Sequence, residues 1–494
     1  MKKVLLLLMV CAMFLLCFAG CGEKKESSDP VTTTASQKAE GDTPGYDVDG
    51  YLLDDLPETL NFNNEDIKIL HWTECDIINP GEDAKGVIEQ ACYTRNLRVE
   101  DRLGVNLQFI PAEGHGNAAQ SFLAKVQTAM LGGEETRYDL ISVYNQTAGM
   151  IATSGLSVNL YDVDYLNFQK PWWPRSVTES FTVGNKLYFA SGDISEAFLA
   201  EMIAVLYNKD ILGDVDLYGL VNSGEWTLEK MLELSKDRYA DLDNSDSKNF
   251  QDRYGTVIPW DSYFDAFFYG SDLIVVDSDE SGRLHVSPTY VGERSDDLAE
   301  MMKTFFYQSN DGLIGNSESI INLFAKGNSV FMVSPGAMIL GTQSMHDTTM
   351  DYGIVPMPKY DADQKEYKTT ISNLYSIFEI FAGCNREQAN RAGAVMECMA
   401  SEGYRTISPA VFEVCLKVRY ANDPDSAKMY DLVREGVVFD IGRVFSTAAL
   451  KEIPTTKWKR SVIDGKVWGA QSAGIDAQLQ ALLDQLYDSF AEIG

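Results

Sequence analysis

Apolar residues recur along the chain in two rhythms, and the alternation between them sets out most of the architecture. The run Asp66-Ile67-Lys68-Ile69-Leu70-His71-Trp72 reads as a strand. From Gly86 to Leu103, the residues Val87, Ile88, Ala91, Leu97, Val99 and Leu103 fall at helical spacing, and Gly104 supplies a stop. A second strand follows over Val105–Ile110, a helix over about Asn117–Leu131 and a third strand over Tyr138–Tyr144. Strand, helix, strand, helix, strand predicts an α/β lobe with a largely parallel sheet. Such sheets bind ligands beyond the carboxyl ends of their strands. Here those ends carry Trp72-Thr73-Glu74 and Tyr144-Asn145-Gln146.

The rhythm restarts near residue 203. Ala204-Val205-Leu206-Tyr207-Asn208 is strand-like, and Thr227–Lys236 is helical behind Ser223-Gly224-Glu225-Trp226. Tyr254–Trp260 then leads into an aromatic cluster of Tyr263, Phe264, Phe267, Phe268 and Tyr269. Further strand patterns lie at Ser329–Val333 and Tyr352–Pro356, and helical ones at 386–403 and 470–490. No internal repeat is present. A second α/β region is therefore expected after the first.

The N-terminus changes the compartment. Lys2-Lys3, the apolar run Val4–Phe18 and then Ala19-Gly20 make a secretory signal, too short for a membrane-spanning helix. Cys21 directly after Ala-Gly resembles the bacterial lipobox, although Phe18 stands where that pattern usually has leucine. Residues 1–20 are thus expected to be a lipoprotein signal peptide, with Cys21 lipidated and holding the protein to the outer face of the membrane. Gly22 to about Gly45 is poor in apolar residues, and 21–60 is expected to be a disordered tether.

Composition mainly excludes. A net charge of −32 repels phosphate backbones, so nucleic-acid binding is not expected. Beyond Cys21 the cysteines are Cys75, Cys92, Cys384, Cys398 and Cys415, with no CxxC pair, so neither a zinc site nor a disulfide framework is implied. The stretch Asp241–Ser247, closed by Asp252, has the spacing of a calcium loop, but Asp246 replaces its glycine and Asp252 its glutamate. It reads as decayed, and no metal or cofactor is expected.

Several stretches together resemble the extracellular solute-binding proteins of ABC importers, in the carbohydrate-binding group that includes maltose-binding protein. The likeness is to large lipoprotein members from Gram-positive bacteria. They are Tyr51–Leu60, Lys170-Pro171-Trp172-Trp173, Lys186–Asp193, Leu206–Asp210, Gly224-Glu225-Trp226-Thr227, Tyr352–Tyr360 and Leu416-Lys417. The resemblance implies a type II periplasmic-binding-protein-like fold, two α/β lobes joined by a hinge of three crossovers. It implies a first lobe of 61–202 and 329–380, a second of 203–328 and 381–494, and crossovers near 202, 328 and 380. It also implies a small polar ligand, a carbohydrate above all, and ABC permease subunits as partners.

A sugar site needs aromatic faces for ring C–H groups and polar side chains for hydroxyls. The expected ligand-binding residues are Trp72, Glu74, Tyr144 and Asn145 at first-lobe strand ends, and Trp260, Asp261 and Tyr263 in the second lobe. Asp193, Tyr375 and Trp468 join them by position. Phe264, Phe267 and Phe268 have the spacing of core residues, Trp172 and Trp173 are expected to pack, and Trp226 beside the Thr227 cap is structural. The four histidines form no HExxH, and neither GxSxG nor a P-loop occurs. No catalytic residue is expected. A lipid-anchored glycosidase or lyase, and a ligand sensor without transport, stay open.

Overall fold

Strand β1, Glu65–Trp72, is buried along nearly all of its second half, as a strand covered on both faces must be. It lies between β2 (Val105–Ala112) and β3 (Leu140–Tyr144), parallel to both. The expected helix spans Val87–Leu103 and ends on Gly104, whose φ of 58° and N–H bond to Glu100 O close its last turn. A Cβ there would meet the Asn61 side chain at 2.5 Å, so only glycine fits. The structure, a computed structural model, describes residues 45–493 apart from 76, 135, 246, 337–341 and 421–423. The signal segment and Cys21 lie outside the described residues.

The second sheet is built from β4 (Ile203–Asn208), β5 (Tyr254–Pro259), β8 (Gly312–Gly315), β9 (Ser329–Pro335) and β10 (Tyr352–Val355), in the order β10-β4-β9-β5-β8. A small hairpin, β6 (Val276–Ser278) and β7 (Leu284–Val286), lies apart. The strand β11, Ser376–Ile380, pairs antiparallel with β3 and completes a four-stranded first sheet, β11-β3-β1-β2. The two lobes are these two sheets with their helices.

Strand pairing divides the segment 329–380. Only β11 joins the first sheet, whereas β9 and β10 pair with β4 and β5. The chain therefore stays within the second sheet at 328 and leaves it after β10. The long helix Arg386–Tyr420 also sits with the first lobe: Ser408 bonds Asp193, and Arg98 of the helix Val87–Leu103 pairs with Glu402. Hydropathy alone could not assign these pieces, because β9 and β11 are both buried throughout and the partner strand decides which sheet takes each.

The segment 45–60 is also placed otherwise than a tether. Leu56 is buried, Asp55 accepts from Lys170 Nζ at 2.5 Å, and Tyr51 meets Tyr404 edge-on at 6.1 Å. Leu52, Leu56 and Leu60 supply the apolar content that residues 22–44 lack, and through them the stretch packs against the core.

Three short segments run side by side between the sheets. Met202 bridges Ile371 antiparallel, Ile203 N–H donates to Thr370 O at 3.0 Å, and Ser372 N–H donates to Glu201 O at 2.9 Å. On the other flank Thr369 N–H donates to Gly436 O and Val438 N–H to Thr369 O, both at 2.8 Å. This ribbon of 201–203, 369–373 and 436–438 joins the two halves.

Candidate ligand site between two strand edges

The carboxyl ends of β1 and β3 and the amino end of antiparallel β11 form one edge of the first sheet. Trp72 ends β1, fully buried, and its Nε1 donates to Ser376 Oγ at 2.6 Å. Its ring lies 5.7 Å from Tyr144, which stacks edge-on against His115 at 4.6 Å. Burial pushes the Tyr144 phenol up to about 12. Tyr375, also buried, packs against Phe198 and Phe439. These rings are buried inside the lobe, where the Trp72 indole N–H, cut off from water, takes a hydroxyl as its partner.

Glu74 is exposed, and its Oε1 accepts from Gly114 N–H and His115 N–H, each at 2.8 Å. It pins the loop after β2 and holds a carboxylate at the rim. Asn145 opens the helix Asn145–Thr153, is fully buried, and donates through Nδ2 to Asn373 Oδ1 at 3.3 Å. Among the described residues its own Oδ1 has no partner.

The second sheet presents its carboxyl edge at the ends of β5, β8 and β9. There Gly336 N–H donates to Met202 O at 3.2 Å, so this edge adjoins the ribbon. Trp260 follows β5 with φ 79° and ψ 145°, backbone angles that belong almost solely to glycine. Its N–H bonds Gly315 O at 2.8 Å and its Nε1 donates to Ser317 Oγ at 2.6 Å, yet the residue remains 51% exposed. A strained tryptophan that shows half its surface to solvent is not there for packing. Asp261 and Tyr263 form the next turn, Asp261 partly exposed and Tyr263 buried.

Between the edges lies a polar floor. Glu201 is partly exposed, accepts from Ser372 Oγ, and is pushed up to about 7 by burial. Burial, and after it the charge of Glu201, raise the Tyr263 phenol. Arg443 donates to Thr370 Oγ1, Ile371 O and Asn373 Oδ1, each at 2.7 Å, and its guanidinium lies 5.4 Å from the Tyr269 ring. Thr447 Oγ1 donates to Gln146 Oε1 at 2.5 Å.

The family of bacterial extracellular solute-binding proteins matches residues 117–404, more than half of the chain. The chain belongs to that family. Comparison with curated proteins by sequence gives no match. A cyclo/maltodextrin-binding protein complexed with maltotetraose is similar in structure, with TM-score 0.55 and 13% identity over 86% of this chain and 98% of that one. UgpB from Mycobacterium tuberculosis, in complex with glycerophosphocholine, gives 0.54 and 17% over 85% and 98%. The GacH receptor of Streptomyces glaucescens, solved unliganded and with acarbose, gives 0.51 and 13% over 85% and 99%. Such identities establish the two-lobed fold and leave the ligand to this chain's own residues.

In this solute-binding protein the remaining expected site residues, Asp193 and Trp468, are buried in packing contacts. Asp193 is buried and accepts from Ser408 Oγ at 2.9 Å and Arg434 Nη2 at 2.7 Å, which ties its turn to two C-terminal helices. Trp468 is buried, donating to Tyr290 O at 2.9 Å and Ser295 Oγ at 3.1 Å. Trp172 and Trp173 both donate to the buried Glu397, at 3.0 and 2.8 Å, and Phe264, Phe267 and Phe268 are core. Carboxylate oxygens of Asp241, Asp243 and Asp252 come within 4.8 Å of one another, while Asp246 lies outside the described residues. Asp252 is buried and spends its oxygens on the loop, accepting from Leu242 N–H and Asn249 N–H.

Sequence reasoning missed Glu201, Ser372, Asn373 and Arg443. The polar run Thr369-Thr370-Ile371-Ser372-Asn373 between two strands was the one available signal, since a polar stretch that is nonetheless buried belongs at a crossover.

Proposed function

We propose that the protein captures a sugar or oligosaccharide outside the membrane and hands it to an ABC importer, and that it is no enzyme. Trp260 carries this reading. It is an exposed aromatic face held at backbone cost on the strand edge beside the ribbon, where Glu201, Asn373, Gln146 and Glu74 offer hydroxyl partners. Family membership supports binding over catalysis, and two similar structures hold maltotetraose and acarbose. The ribbon 201–203, 369–373 and 436–438 is the hinge about which the lobes close. A diacylglyceryl group on Cys21 retains the protein at the membrane.

Calorimetric titration with monosaccharides and maltooligosaccharides, with chromatography of the sugar afterwards, tests this. Saturable heat with the sugar recovered intact is expected. Consumption of the sugar, or no saturable binding to any of them, overturns the reading. Cys21→Ala is expected to move the protein from the membrane fraction to the medium.

A further inference from the structure

A groove of about 1380 Å³ lies elsewhere, on the second lobe. Asp311, at its base, precedes β8, and the groove opens at the amino edge of the second sheet, the opposite end of β5 from Trp260. Two helices wall it. The helix Leu228–Ser235 and its flanks contribute Glu229, Leu232, Glu233 and Lys236, one face at spacings of three and four. The helix Glu293–Lys303, continued by a π-helical turn over Thr304–Gln308, contributes Asp297, Glu300, Met301, Thr304, Phe305 and Gln308 in the same rhythm. A π turn is costly and is found most often where a helix serves a function.

The lining has an apolar floor and an acidic rim. Leu232, Met301, Phe305 and Tyr360 supply the floor. Among the described residues, seven carboxylates and one lysine line the groove. Lys230, Lys303 and Arg294 pair with Glu233, Glu300 and Asp361, and the balance stays negative. Asp311 is held in place by the N–H groups of Asp237, Arg238 and Tyr239. The longer wall, Asp297 to Gln308, is about 16 Å long, three helical turns.

We propose that this groove docks an amphipathic helix of a partner protein, one whose apolar stripe is flanked by lysine or arginine. Two stripes of side chains beside an apolar trough form the receptor half of helix-in-groove recognition, and the acidic rim selects a cationic guest. A second copy of this chain, at net charge −32, is repelled. Residues 22–44, with Val31 as their one large aliphatic, carry no apolar stripe to fill it. The site is separate from the ribbon, so its failure leaves the ligand reading untouched.

The probe is a fluorescein-labelled helical peptide of leucine and lysine, about three turns long, with leucines on one face. Its control is the same composition scrambled to break the stripe. Anisotropy titration of the mature chain is expected to saturate below about 100 µM, with the scrambled peptide at least about tenfold weaker. Glu229→Lys with Asp297→Lys, and separately Met301→Asp, should each weaken binding by about tenfold or more. Glu58→Lys with Glu82→Lys, the same charge change on another surface, should alter it less than about twofold. Equal binding of the scrambled peptide, equal loss in the remote pair, no saturation, or displacement by equimolar spermine would each overturn the proposal.

Discussion

The two strand edges that face the ribbon have the same kinds of residue and use them in opposite ways. On the first-lobe edge, Trp72, Tyr144 and Tyr375 are packed inside, with the Trp72 indole bonded to Ser376. On the second-lobe edge Trp260 is bonded to Ser317 through the same nitrogen yet is 51% exposed, on a backbone that costs energy to hold. An indole–serine hydrogen bond is therefore no guide to whether a tryptophan is packed inside the lobe or stays open to solvent. Exposure and backbone geometry separate the two, and the proposed ligand contact rests on them.

The contrast breaks most visibly in stability. Trp72→Ala empties a buried site and should cost about 3–5 kcal/mol, read as a lower urea midpoint with an unchanged slope. Trp260→Ala should change unfolding by less than about 1 kcal/mol and weaken ligand binding by about tenfold or more, since a stacked aromatic is worth roughly 1–2 kcal/mol. Were Trp72→Ala to fold normally and lose affinity, the two edges would have to exchange roles.

Protonation sharpens the picture. Burial raises Glu201 to about 7, above its ordinary value, so the folded state holds this proton more tightly than the unfolded chain does. The group's favourable contribution is full below about pH 4.5 and is lost as pH rises through 7. Glu201→Gln should therefore gain about 1–3 kcal/mol on the parent in urea unfolding at pH 8 and little at pH 4.5. A pH-independent difference would mean that Glu201 is solvated like any surface acid. The smallest effect is at the strained position itself. Trp260→Gly should be more stable than Trp260→Ala by about 1 kcal/mol, because glycine adopts φ 79° freely.

Much of the fold was legible because its signals are local. The strand at Glu65–Trp72, the helix closing on Gly104 and the strand at Leu140–Tyr144 follow from residues within one element. Sheet membership was less so: β9 and β11 look alike in sequence, and only their partners distinguish them. The site was legible in part. Trp260 stands out as an aromatic and acid pair after a strand, whereas Trp72 looks identical until Ser376, 304 residues away, is seen to bond it. Glu201 and Ser372 are 171 residues apart, and Arg443 and Asn373 are 70 apart. No spacing rule reaches that far.

The central claim is that one ligand is gripped by both edges at once, across the ribbon. Hydrogen–deuterium exchange with and without a saturating sugar tests it most directly. Slowed exchange is expected together at 260–263, 145–147 and 371–373, with the groove between Glu229 and Gln308 unchanged. Protection confined to one edge, or appearing in that groove instead, would contradict it.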